Sequence, residues 1–256
     1  MTDLAGGRCG TGIPGLDTML TGGFMRGDAN LVAGSPGTGK TTLGLHFIVA
    51  GIKAGEPGVF VTFEYLPQQI YRDALRRGWD LRKWEEEGRL RLLCTTPDVL
   101  LAETKPGRTI LDEAVEEVGA RRLVIDSMSH FEFVDQEEKR LREAISGLMN
   151  HLRLQDVTTI VTHEIPEIVG PAVRISNYGL EFLVDSVILL RYVELEGELQ
   201  KAINVVKFRG GDHDRRYRRV HLGSDGMRIE DDFSGVENIS GGSARRSVAQ
   251  RAKELI

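Results

Sequence analysis

Ala29-Asn30-Leu31-Val32-Ala33-Gly34-Ser35-Pro36-Gly37-Thr38-Gly39-Lys40-Thr41 is the stretch whose reading decides the fold. An apolar run, Ala29 to Ala33, leads into the pattern G-x-x-x-x-G-K-[ST], and a helix-like run from Thr42 to Ala54 follows. A buried strand, a glycine-rich turn and a helix, in that order, are the setting a phosphate-binding P-loop requires. Gly34, Gly37 and Gly39 free the backbone so that successive N–H groups can turn inward onto phosphate oxygens. The positive end of the following helix acts on the same anion. Lys40 is placed for β- and γ-phosphates and the Thr41 hydroxyl for Mg²⁺. Ser35, Pro36, Thr38 and Thr42 complete the expected nucleotide-binding set. A plain glycine-rich turn would need neither the lysine nor the threonine.

Outward from this stretch, short apolar runs alternate with helical patterns. Val59 to Phe63, Arg89 to Leu93, Leu123 to Asp126 and Val157 to Thr162 read as strands. Helices are predicted over Pro67 to Arg77, Leu81 to Glu87, Thr109 to Val118 and Gln136 to Leu154. This rhythm argues for an α/β fold with a mainly parallel twisted sheet covered by helices on both faces. From Val184 the rhythm changes. Val187 to Val193 and Leu199 to Phe208 read as a hairpin, and Tyr217 to Leu222 and Met227 to Glu230 add antiparallel strands at the C-terminal edge.

Two segments are expected to be irregular. Thr11 to Phe24 is glycine-rich and reads as a lead-in on the domain edge, and Thr95 to Gly107, with Pro97 and Pro106, reads as a loop. One domain is assigned to residues 1–238. Residues 239–256, beginning near Ser-Gly-Gly-Ser, read as a flexible joint and a short basic helical tail.

The 256 residues suffice for one sizeable core. A net charge of −5 argues against a broad electrostatic grip on nucleic acid. Cys9 and Cys94 are far apart and in no metal-binding spacing, which fits a reducing compartment. No run approaches the ~18 apolar residues of a membrane span, so a soluble, cytoplasmic protein is expected.

Hydrolysis needs more than a P-loop. Asp126 ends an apolar strand in the Walker B arrangement and is expected to hold the Mg²⁺ shell beside Thr41. Glu64, at the end of the strand after the P-loop helix, reads as the general base that orients and deprotonates water; a plain loop acid is the other reading. Thr162 and His163, on the same sheet edge, read either as γ-phosphate sensors or as a strand terminus.

These residues carry a resemblance. The chain resembles the KaiC family of RecA-superfamily ATPases over nearly its whole length. The resemblance lies in Thr11 to Asp17, the P-loop, Val61 to Glu64, Val124 to Ser127, Asp185 to Gly197 and Lys207 to Gly210. One such domain is present, where the clock protein has two in tandem. The resemblance implies a RecA-like fold, ATP or ADP with Mg²⁺, and a homo-oligomeric ring, usually of six subunits, with nucleotide between neighbours. It also implies that Lys207 and Arg209 approach the γ-phosphate of the adjacent subunit, a role in which arginine stabilises transition-state charge. Slow hydrolysis would change the ring's shape and its binding of a regulatory protein partner.

Two departures stand out. Glu64-Tyr65 replaces a pair of glutamates, which implies slow or altered hydrolysis. Where clock KaiC phosphorylates a serine and a threonine, this chain has Glu181 and Phe182, with Ser176 and Ser186 as nearby hydroxyls. Neither Glu181 nor Phe182 is a hydroxyl, so self-phosphorylation at that site is disfavoured; an autokinase, which the resemblance also implies, is a second reading that needs another acceptor. A DNA-acting recombinase is a third, resting on Arg215-Arg216-Tyr217-Arg218-Arg219.

Overall fold

The computed structural model describes residues 7–105, 107–134, 137–167, 175–233, 236–239 and 243–246. Among the described residues nine strands form the main path of an 11-stranded central sheet: β1 (Ala29–Gly34), β2 (Gly58–Thr62), β3 (Leu90–Cys94), β4 (Arg122–Asp126), β5 (Thr158–Glu164), β6 (Ser186–Leu195), β7 (Glu198–Phe208), β8 (Arg218–Gly223) and β9 (Gly226–Asp232). They are ordered β9-β8-β7-β6-β1-β5-β4-β2-β3. From β6 to β3 every neighbour pair is parallel. From β6 to β9 every pair is antiparallel. The expected mainly parallel sheet with an antiparallel C-terminal edge is present, and β1 lies between β6 and β5 near its middle.

Period-two alternation sorts the strand side chains onto the two faces. Val32, Phe60, Val124, Ile160 and Ile188 join one core with helix α1 (Lys40–Lys53), α2 (Pro67–Leu75) and α3 (Leu81–Glu86). Leu31, Val59, Val61, Leu123, Ile125 and Val161 join a second core with α4 (Ile110–Val118) and α5 (Glu138–Leu154). In α5 the buried Leu141, Ile145, Met149 and Leu152 recur at the spacing of one helical stripe. α4 opens on a capping box. Asp112 N–H donates to Thr109 Oγ1 at 3.3 Å, and Thr109 N–H donates to Asp112 Oδ2 at 2.7 Å.

Three segments differ from the sequence-based expectation. The lead-in contains a helix, Pro14–Met19, and a two-strand ladder of Arg8–Cys9 with Phe24–Met25. Ile13, Leu16, Met19, Leu20 and Phe24 are buried in the first core, and Asp17 accepts from the N–H and the hydroxyl of Thr11 at 2.7 and 2.8 Å. Glycine content hid an apolar spacing that belongs to the interior. Within Thr95 to Gly107, Thr96 caps a helix, Pro97–Leu101, and Glu103–Lys105 pairs with Arg108–Thr109; Pro97 sits at the first turn, where proline starts a helix instead of breaking one.

The joint predicted from residue 239 includes a strand, Ser243–Arg246. It pairs antiparallel with Val236–Glu237 and parallel with the end of β6. Ala244 there joins Val193, Leu195, Ala202 and Phe233 in a small third core, so composition alone misread these four residues. The remaining tail, 247–256, lies outside the described residues. Among the described residues no helix is long and apolar enough to cross a membrane.

Candidate functional site

The carboxyl ends of β1, β2, β4 and β5 share one edge of the sheet, and the polar residues gather there. This is the edge at which open α/β sheets bind ligands. Residues 35–39 turn the chain from β1 into α1. Gly37 and Gly39 have φ of +76° and +110°, and a Cβ on Gly39 would lie 2.8 Å from Met227 Cε. A Cβ on Gly34 would lie 2.2 Å from Leu190 O. Positive φ and close approach both require glycine here.

Lys40 is buried and donates from Nζ to Gly34 O at 2.9 Å and Ser35 O at 3.1 Å, with Glu164 Oε1 at 3.3 Å. Thr38 Oγ1 donates back to Ser35 O at 2.7 Å. Thr41 Oγ1 donates to Asp126 Oδ2 at 2.7 Å, and Thr162 Oγ1 donates to Asp126 Oδ1 at 2.5 Å. Asp126 is only 5% exposed. Burial pushes its carboxyl above the usual range, opposed by the two threonine hydroxyls and Lys40. A buried carboxylate beside a threonine hydroxyl is a hard-oxygen donor set, which fits Mg²⁺. Among the described residues no group of three or more His, Cys, Asp or Glu is arranged to hold a metal. Phosphate oxygens and water would have to complete such a shell.

Glu64 is exposed just beyond β2, where the last paired residue, Thr62, lies level with Asp126. It therefore stands at the same edge. Tyr65 forms one wall of a cleft of about 170 Å³ with Thr41, Thr42, Gln69, Asp73 and Arg77.

His163 and Thr162 part company. Alternation along β5 turns Thr162 toward Asp126 and sends His163 to the other face, where Nδ1 shares a hydrogen bond with Ser129 Oγ at 3.2 Å and the ring meets Tyr178. Burial, aided by Lys40, lowers the His163 pKa to about 4. The same alternation carries Glu164 onto Lys40, a contact that the sequence reading did not assign although the i, i+2 spacing from Thr162 signals it.

Lys207 and Arg209 lie at the opposite edge. Near the start of β1, Phe208 on β7 is level with Ser186 on β6 and Asn30, and Lys207 is level with Val187 and Leu31. The P-loop follows Gly34, paired with Leu190. Three residues at ~3.3 Å each put Lys207 about 10 Å below that level along the strands, and Arg209 lies further still. Lys207 Nζ donates to Glu181 O at 3.0 Å and Val184 O at 2.5 Å, and Arg209 Nη1 to Asp185 Oδ1 at 3.3 Å. Burial and Arg209 lower the Lys207 pKa. Asp185 also accepts from Arg153 at 3.0 Å, and neighbouring Asp28 is pushed up to about 6, by burial first and Asp185 second.

Phe182 is 67% exposed, whereas Ser176 and Ser186 are 5% and 0% exposed. Ser176 Oγ donates to Glu181 Oε2 at 3.0 Å. The basic run is internally compensated. Arg216 and Arg218 converge on Asp214 at 3.0 and 2.5 Å, Arg215 lies 3.6 Å from Asp212, and Arg219 stacks on Phe233.

A P-loop, a Walker B aspartate and parallel strands in this order define a RecA-like P-loop ATPase domain. The profile of the family described as "ATPase: KaiC" matches residues 9–233, and the chain belongs to that family. It is 32% identical to the circadian clock protein KaiC3 of Synechocystis sp. over 97% of this chain and 48% of that protein. It is 31% identical to the circadian clock oscillator protein KaiC of Rippkaea orientalis, over 97% of this chain and 47% of that protein. The chain thus spans about half the length of these curated relatives. The crystal structure of a KaiC-like protein from Pyrococcus horikoshii OT3 superposes with a TM-score of 0.78 at 34% identity, covering 88% of this chain and all of that one.

Proposed function

We propose that this domain is a Mg²⁺-dependent ATPase that works between the subunits of a homo-oligomeric ring, slow in turnover and coupled through its shape to a regulatory protein partner. The observation that carries the reading is the convergence of Lys40, Thr41, Asp126 and Thr162 at one sheet edge. The P-loop N–H groups and Lys40 bind the phosphates, and Thr41 and Asp126 hold the cation. Mg²⁺ when bound supplies charge neutralisation to the phosphates. Glu64 takes a proton from the attacking water. The cleft walled by Thr42, Gln69 and Tyr65 offers room for the nucleoside.

Lys207 and Arg209 cannot serve the P-loop of their own chain from the far edge of the sheet. In this reading each chain presents its P-loop edge to one neighbour and its Lys207–Arg209 edge to the other. Such a head-to-tail contact closes into a ring when its rotation divides the circle. Six subunits is the number we propose. Nucleic acid is not among the proposed partners, because three of the four arginines of the basic run pair with Asp212 and Asp214 and the fourth, Arg219, stacks on Phe233.

The test is incubation with γ-labelled ATP and Mg²⁺, alongside Glu64→Gln. Free labelled phosphate, lost in the variant, is the expected result. Label retained on the protein would replace this reading with an autokinase, and the absence of both signals would leave a nucleotide-binding scaffold.

A further inference from the structure

The segment after β5 is tied to the P-loop at three points. Ile165 N–H donates to Gly34 O at 3.1 Å, Ser35 Oγ donates to Glu167 O at 2.5 Å, and Glu164 Oε1 lies 3.3 Å from Lys40 Nζ. Glu164 is oriented for its contact. Its N–H donates to Ser129 Oγ at 2.7 Å, and that oxygen is itself anchored on His163. An ammonium has three protons, and here Gly34 O, Ser35 O and the Glu164 carboxylate take one direction each.

We propose that Glu164 is a positioning residue for Lys40, a carboxylate that stands in the place of a phosphate oxygen and competes with the nucleotide for the ammonium. The proposal rests on the nucleotide reading above and adds to it the group that sets affinity.

The two partners are unequal. The Lys40 side chain is 7% exposed and that of Glu164 is 48% exposed. Lys40 cannot leave without stranding a buried charge, whereas Glu164 can turn into water with little loss. Carboxylate and phosphate oxygens are both anionic acceptors for the same donor, so a phosphate arriving at Lys40 displaces Glu164. A half-exposed pair of this kind shifts an equilibrium roughly two- to fivefold, and the apparent affinity for nucleotide is reduced by that factor.

The displaced carboxylate belongs to the segment 164–167 that also grips Gly34 and Ser35. Phosphate occupancy is thereby read out at the end of β5. By reciprocity, whatever draws Glu164 away from Lys40 tightens nucleotide binding.

The experiment is a fluorescence titration of the full chain with N-methylanthraniloyl-ADP, comparing wild type, Glu164→Gln and Glu164→Asp, with thermal melts of each. The expected result is a Kd two- to fivefold lower for Glu164→Gln, with Glu164→Asp in between because it keeps the charge but is one carbon shorter. A purely structural role would loosen the loop and weaken binding. An unchanged or raised Kd in a folded Gln variant overturns the proposal. Should that variant not fold, an unchanged or raised Kd for Glu164→Asp does the same. If wild type binds and neither variant tightens, only this proposal falls; if wild type does not bind, the nucleotide reading falls and takes it along.

Discussion

Lys40 is a buried cation whose protein partners are two carbonyl oxygens and one half-exposed carboxylate. Removing it deletes the only ammonium of the P-loop and leaves Glu164 facing an anion. Charge-assisted hydrogen bonds contribute about 1.5–3 kcal/mol each, so Lys40→Ala is expected to weaken ADP binding by at least about tenfold. A titration with the fluorescent ADP analogue checks this, and binding within about twofold of wild type would remove Lys40 from the phosphate site. Asp126 illustrates the complementary case. Its burial raises its pKa, and Thr41 and Thr162 supply the hydrogen bonds that keep a charge there tolerable. A cation at Thr41 and Asp126 would relieve the same strain, which is why this pair suits Mg²⁺.

At the level of elements, the edge where β1 and β6 begin gathers Asp28, Asp185, Arg153, Lys207 and Arg209. Asp28 has a pKa near 6 in the fold, against about 3.9 in an unfolded chain. The folded state therefore favours its protonated form. The stability this gives is complete below about pH 4 and is lost as pH rises through 6. Asp28→Asn is expected to be more stable than wild type at pH 7.5, by about 1–2 kcal/mol after allowance for solvent screening. The difference should close as pH falls toward 4. Urea unfolding at both pH values checks it, and a constant difference would show that Asp28 does not titrate in this window. β5 shows how a strand divides labour by alternation. Thr162 and Glu164 serve the P-loop side, while His163 packs with Ser129 and Tyr178.

For the whole molecule, the two edges of the sheet set the terms. In the proposed ring Arg209 acts on a neighbour's nucleotide, so Arg209→Ala should leave the Kd for ADP within about twofold and cut turnover roughly 10²-fold. Chains carrying Arg209→Ala and chains carrying Glu64→Gln, each strongly impaired alone, should regain activity when mixed. One interface in about four (one half times one half) then joins an intact Glu64 to an intact Arg209 across the contact. Failure of the mixture to recover would sink the trans role. Much of this architecture was legible in the residues. The P-loop, the Walker B strand, the alternating α/β rhythm and the antiparallel C-terminal strands all rest on local spacing, which a chain carries wherever it folds. The buried lead-in was missed because its glycines masked the apolar spacing from Ile13 to Phe24, and the Ser243–Arg246 strand because the partner that joins it to the main sheet lies about fifty residues away in β6. Folding in three dimensions settled the rest: Glu164 on Lys40, His163 turned away, and Lys207 and Arg209 at the edge remote from their own P-loop. Those placements depend on the pairing of strands distant in sequence: a shift of one residue would exchange the faces of Glu164 and His163, and the antiparallel direction of β7 carries Lys207 and Arg209 to the far edge. Local patterns name the chemistry of a residue, while strand pairing chooses its company.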